Sequence, residues 1–170
     1  EIQGAEHDPA EGADPGQEGD ADPWGLDLVY KYDHPAPYGH RDFKLQTEYL
    51  RSIKDLDISG GSEAEIGSRR ELTTDGLYVQ GLSGVAPRWQ VALRYDTLGL
   101  TNQVRGGERS DFDSSERWTA AVAWLPTEFS LLRLQYEYSD IQLQSGGSEH
   151  FNALWLQFIM SMGTHGAHAF

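Results

Sequence analysis

The sequence contains no cysteine, which removes disulfide scaffolds, thiolate metal sites and cysteine nucleophiles at once. It also lacks any apolar run of about 18 residues, so no segment reads as a transmembrane helix. A membrane wall built of strands is untouched by that absence, because its residues alternate and average out as hydrophilic. The mean hydropathy of -0.56 suits such a wall as well as a soluble protein. Positive charge is scarce: 13 Lys and Arg stand against 27 Asp and Glu, a formal net charge of -14. That balance disfavours nucleic acid as a partner, since neutralising phosphates needs clustered cations. The chain opens at Glu1 without an initiator Met or a signal-like segment, so a processed protein or a fragment is expected. Catalytic signatures such as GxSxG, HExxH and GxGxxG are missing too, and no enzyme activity, catalytic residue or cofactor is expected.

What is present is strand periodicity. With 38% hydrophobic and 11% aromatic residues in 170, the chain can form one substantial domain. Its end is the organising stretch. In FNALWLQFIMSMGTHGAHAF, residues 151–170, a strand would put Leu154, Leu156, Phe158, Met160 and Met162 on one face and Trp155, Gln157 and Ser161 on the other. A strand with one large apolar face that closes on an aromatic residue is how a bacterial outer-membrane barrel usually ends.

From the start, residues 1–23 are rich in Gly, Pro, Asp and Glu and read as an acidic flexible segment. The remainder, 24–170, alternates repeatedly with period 2. Leu26, Leu28, Tyr30 and Tyr32 oppose Asp27, Val29 and Lys31. Phe43, Leu45, Thr47 and Tyr49 oppose Lys44, Gln46, Glu48 and Leu50. Trp89, Val91, Leu93 and Tyr95 oppose Gln90, Ala92, Arg94 and Asp96. Trp118, Ala120, Val122 and Trp124 share a side, and Leu132, Leu134, Tyr136 and Tyr138 oppose Arg133, Gln135, Glu137 and Ser139. In GLYVQGLS the register stays open between Leu77, Val79, Gly81 and Tyr78, Gln80, Leu82.

The connections alternate as well. Those near 35–42, 84–88 and 126–130 are short, whereas 51–75, 97–116 and 140–150 are longer and polar. Outer-membrane barrels show this asymmetry between periplasmic turns and outer loops. The expected fold is therefore all-β, an antiparallel up-and-down transmembrane β-barrel, with about seven strands of a larger barrel in this chain.

The pieces DGLYVQGL, APRWQVALRYDTLG, PTEFSLLRLQYEYS and LWLQFIMSMGTHGAHAF resemble the C-terminal half of a family of Gram-negative outer-membrane porin-like proteins, often described as TonB-associated or zinc-regulated. The likeness covers most of 24–170. The family's Gly-Ala-His-x-Ala-His-x-aromatic ending is matched at Gly163, His165, Ala167, His168 and Phe170, with departures at Thr164 and Gly166. The resemblance implies residence in the outer membrane of a Gram-negative bacterium. Lipid and the barrel-assembly machinery, engaged through the last strand, become expected partners, and no plug domain is visible.

On this reading Asp27, Lys31, Lys44, Glu48, Arg94, Asp96, Arg133 and Glu137 line a wet lumen that passes small hydrophilic solutes or ions. Trp89, Tyr95, Trp118, Trp124, Tyr136, Tyr138 and Phe170 form membrane-rim aromatics. Two other classes compete: a barrel with a blocked lumen that binds a partner or metal, and a soluble β-sandwich or lipocalin-like module whose apolar faces converge on one core. No metal site is expected. His165 and His168, three apart, fall on opposite faces of a strand, and His7 among Asp8, Glu11, Asp14 and Glu18 lacks EF-hand spacing.

Overall fold

The computed structural model describes residues 17–58, 69–105, 114–143 and 147–162. The period-2 segments become strands β1 (Gln17–Tyr32), β2 (Phe43–Ile58), β3 (Arg69–Ala86), β4 (Trp89–Leu98), β5 (Gln103–Arg105), β6 (Ser115–Thr127), β7 (Ser130–Gln142) and β8 (Ser148–Met160). They form one antiparallel sheet in the order β1-β2-β3-β4-β6-β7-β8. Short β5 continues the pairing along β3 past the end of β4, with Leu72 opposite Val104. Each long strand lies beside its neighbour in sequence, so the topology is up-and-down. Among the described residues the sheet is not closed, and β1 and β8 are its edges.

The hairpins at one end are tight. A 3₁₀ turn, Pro37–Gly39, lies between β1 and β2, Pro87 and Arg88 join β3 to β4, and Glu128 and Phe129 join β6 to β7. The strands run further than the alternation indicates. β1 begins at Gln17, so 17–23 belongs to the sheet and not to a flexible segment; the rest of that segment, 1–16, lies outside the described residues. Likewise β2 continues to Ile58 and β3 starts at Arg69, narrowing the expected 51–75 connection to 59–68. These extensions carry only scattered apolar residues, Ile53, Leu56, Ile58 and Leu72, and backbone pairing such as Asp55 with Glu71 carries them without an apolar stripe.

Pairing fixes the face of every strand. Val79 lies opposite both Thr47 and Tyr95, which puts Leu77, Val79 and Gly81 with the apolar set and Tyr78, Gln80 and Leu82 with the polar set. One face then carries Leu28, Thr47, Val79, Tyr95 and Trp118 in a single cross-strand row, and Leu93, Ala120, Tyr136 and Leu154 in the next. This face stays uncovered: Leu26 is 70% exposed and Leu156 74%. Ala123 is the one buried hydrophobic residue among those described, while the buried polar residues are Thr73, Asp75, Thr97, Thr119 and Ser139. Covering a Leu or Phe side chain is worth about 1.5–3 kcal/mol, and the sheet does not fold over itself to gain it.

Candidate functional site

All eight residues expected to line a lumen share the face opposite the apolar one. Successive rows across the strands can be read from the register. Inward of the rows that begin at Gln17, Gly19, Ala21 and Pro23 comes Gly25, Leu50, Gly76 and Leu98, followed by Asp27, Glu48, Tyr78, Asp96 and Arg117. The next row is Gln46, Gln80, Arg94, Thr119 and Glu137. Lys31 and Lys44 pair in the row after that, and Arg133 lies one row further towards the short turns, opposite Ala123. Within these rows Asp27, Glu48 and Asp96 stand towards the long connections and Lys31 and Lys44 towards the short turns, while Lys54 lies beyond them on the same face, opposite Ala21 and Leu72.

The middle of this face holds a trough of about 340 Å³, lined among others by Arg94, Asp96, Arg117, Arg133, Gln135 and Glu137. Its side chains are locked in pairs. Arg94 Nε donates to both Asp96 carboxylate oxygens, at 2.9 and 3.0 Å, and the guanidinium lies 4.1 Å from the centre of the Tyr78 ring. Gln46 donates to the Tyr78 hydroxyl at 2.8 Å, Gln135 to Glu137 at 2.6 Å, and Arg117 to the Ser139 hydroxyl at 3.3 Å. Positions two apart on a strand face the same way, which is why Arg94 and Asp96, or Gln135 and Glu137, can meet. Such a surface offers water and polar solutes fixed donors and acceptors at little net charge.

The aromatic residues expected at a membrane rim lie on the apolar face in two groups. Trp89 and Trp124 stack with ring centres 6.1 Å apart beside the short turns. Tyr95 and Trp118 contact at 4.6 Å near the other end, level with Tyr138. Tyr136 sits one position further in, where its hydroxyl meets Asn152 Oδ1. Phe170 lies outside the described residues, as do His7, His165 and His168.

Two structural anchors carry no mark in the sequence. Arg88, at φ +67°, laces the three short turns together. Its amide donates to the Tyr38 carbonyl at 3.0 Å, and its carbonyl accepts from the Leu125 amide at 2.9 Å. Its guanidinium lies 4.6 Å from the centre of the Tyr38 ring and donates to the Pro126 carbonyl. Close by, Gly84 exchanges backbone hydrogen bonds with Arg41 and Asp42, so near that a Cβ would stand 1.7 Å from the Gly39 carbonyl oxygen.

The second anchor is Asp75, beyond the Tyr95 row on the side of the long connections. It fills the gap where β4 has ended and β5 has not begun. The Thr101 amide donates to its Oδ1 at 3.0 Å, and the Thr101 and Tyr49 hydroxyls donate to its Oδ2 at 2.8 and 2.9 Å. Burial opposes ionisation of this carboxyl. The Thr101 and Tyr49 hydrogen bonds and the Arg51 charge outweigh it and hold the pKa below the ordinary 3.8.

No family model matches the chain, and no solved structure matches it. An uncharacterized protein of Aquifex aeolicus (strain VF5) is 27% identical over 150 residues, which cover 86% of this chain and 30% of that protein. The chain thus spans under a third of the length of the relative it matches.

Proposed function

We propose that this sheet is a section of the wall of an outer-membrane pore, with its apolar face in lipid and its charged face on a water-filled lumen that passes small hydrophilic solutes or ions. The observation that carries the reading is the division of the sheet. Between the two aromatic rows most of the large exposed apolar side chains, Leu28, Tyr30, Leu93, Leu134, Tyr136, Leu154 and Leu156 among them, share one uncovered face, with Val29 and Trp155 as exceptions, while the Arg94–Asp96 ion pair lies on the other. On β1 the outward set is Leu26, Leu28, Tyr30 and Tyr32, each at least 47% exposed. A soluble sandwich would need a second layer over these side chains, and none of the described residues supplies it. Facing water, the charged set avoids the cost of sitting in hydrocarbon.

The test uses the full-length parent protein expressed in a Gram-negative host. It should fractionate with outer membranes, shift in gel mobility on boiling, and conduct in planar bilayers. A soluble, monomeric protein would refute the membrane assignment. Heat-shifting without conductance would instead mean a blocked lumen.

A further inference from the structure

β8 carries large, exposed apolar side chains on both of its faces. On the face that holds the trough it presents Phe151, Trp155 and Ile159, which are 46%, 57% and 43% exposed. They stand four residues apart, a step of about 13 Å along a strand, with Ala153 and Gln157 between them. Val29 and Leu82 also lie on this face, each among polar or small neighbours. Of the tryptophans, Trp24, Trp89, Trp118 and Trp124 belong to the apolar face, and Trp155 alone lies on the other. Its ring meets no other ring among the described residues.

Amide and guanidinium groups surround that ring. Gln135 is directly opposite Trp155, and one row on Arg133 is directly opposite Gln157. These side chains line a recess of about 420 Å³, within the size range of small-molecule clefts. Arg133 and Gln135 line the central trough as well, so the recess opens into it. Gln135 donates to Glu137 at 2.6 Å and keeps its own carbonyl oxygen as an acceptor. Arg133 and Gln157 make no hydrogen bond or ion pair among the described residues.

A flat apolar surface edged by planar donors and acceptors complements a sugar ring, which shows a face of C–H groups and a rim of hydroxyls that both donate and accept. A wholly apolar ligand would strand Arg133 and the two amides without partners, and a small ion would leave the indole in water. We propose that β8 is a track for linear oligosaccharides, with one sugar stacked on Trp155, its hydroxyls held by Arg133, Gln135 and Gln157, and its neighbours passing over Phe151 and Ile159. The proposal rests on the polar face lining the passage, and it names the solute class for that reading.

The test is calorimetric titration of the purified full-length protein with cellohexaose, alongside glucose, which covers one stacking position, and sorbitol, which has the hydroxyls without the ring. Cellohexaose should bind roughly tenfold more tightly than glucose, and sorbitol more weakly than both. Trp155→Ala should weaken cellohexaose by roughly tenfold, the usual cost of truncating a central tryptophan. Trp155→Phe should keep most of the affinity, Gln157→Ala and Arg133→Gln should each lower it severalfold, and Trp124→Phe on the apolar face should leave it unchanged. Should Trp155→Ala lose the heat shift of the folded protein, the Gln157 and Arg133 variants decide. Sorbitol binding as tightly as cellohexaose, or unchanged affinity in the Trp155, Gln157 and Arg133 variants, would overturn the proposal. So would the absence of binding, which includes the case of another part of the longer protein covering Trp155. Conductance is measured separately, so a conducting protein that ignores cellohexaose refutes only this inference, and a non-conducting one that binds it refutes only the pore.

Discussion

Arg94 clasps Asp96 two positions along β4, with Nε 2.9 and 3.0 Å from the two carboxylate oxygens, and spends its remaining face on the ring of Tyr78. The pair cancels its own charge at the centre of the polar trough. Arg94→Gln removes the cation and leaves the carboxylate, so the local potential becomes negative. The expected outcome is a shift of the reversal potential under a salt gradient towards cation selectivity. Its size should be roughly 2- to 5-fold in the permeability ratio, on the scale of a partly exposed ion pair. An unchanged ratio would mean that this face does not line the conducting path.

The apolar face gives a depth-dependent prediction. Leu134 lies opposite Val122 and Leu156, between the two aromatic rows, whereas the adjacent Gln135 faces the trough. Leu134→Arg should cost about 2–4 kcal/mol, the penalty of a basic residue at the midplane of a bilayer. Gln135→Arg should cost little. Urea unfolding from liposomes checks both, and equal costs would contradict the assignment of faces.

Arg88 predicts a cooperative loss. Arg88→Ala deletes its contact with the Tyr38 ring and its bond to the Pro126 carbonyl while keeping the backbone bonds to Tyr38 and Leu125. The expected destabilisation is about 1–3 kcal/mol in unfolding free energy, measured by denaturant titration, since a carbonyl acceptor loses a charged donor. Arg88→Gly would lose the same contacts but relax the positive φ, so it should be less damaging than Arg88→Ala.

Much of this is legible wherever one side of a strand is apolar and the other polar. On β7 the alternation from Leu132 to Tyr138 is strict, and all eight charged positions expected on one face do share a face. Outside the aromatic rows that contrast lapses: Asp55 and Glu71 pair within a sheet that both sequence segments hide, because neither needs an apolar face. β3 was ambiguous because Leu82 and Tyr78 are as apolar as Leu77 and Val79, and its neighbours Thr47 and Tyr95 decided the matter. Arg88 and Asp75 act between turns or strands far apart in sequence, and no local pattern announces such a role.

Asp75 supplies a prediction in pH. Its carboxyl titrates below the ordinary 3.8 when folded, so its contribution to stability is complete above that value and fades as pH falls through the folded pKa. Asp75→Asn should free the segment around Thr101 at neutral pH and flatten the acid limb of the stability curve. Limited proteolysis of residues 99–105 and acid titration of the unfolding midpoint check these two effects. An acid limb identical to that of the unaltered protein would show that the Thr101 and Tyr49 bonds do not depend on the charge.

The order of strands along the sheet has one further consequence. β1 and β8 are the first and the seventh members of an alternating series, and therefore run in the same direction. Bringing these two edges together would join parallel neighbours. A closed ring that is antiparallel throughout would need an odd number of further strands between them.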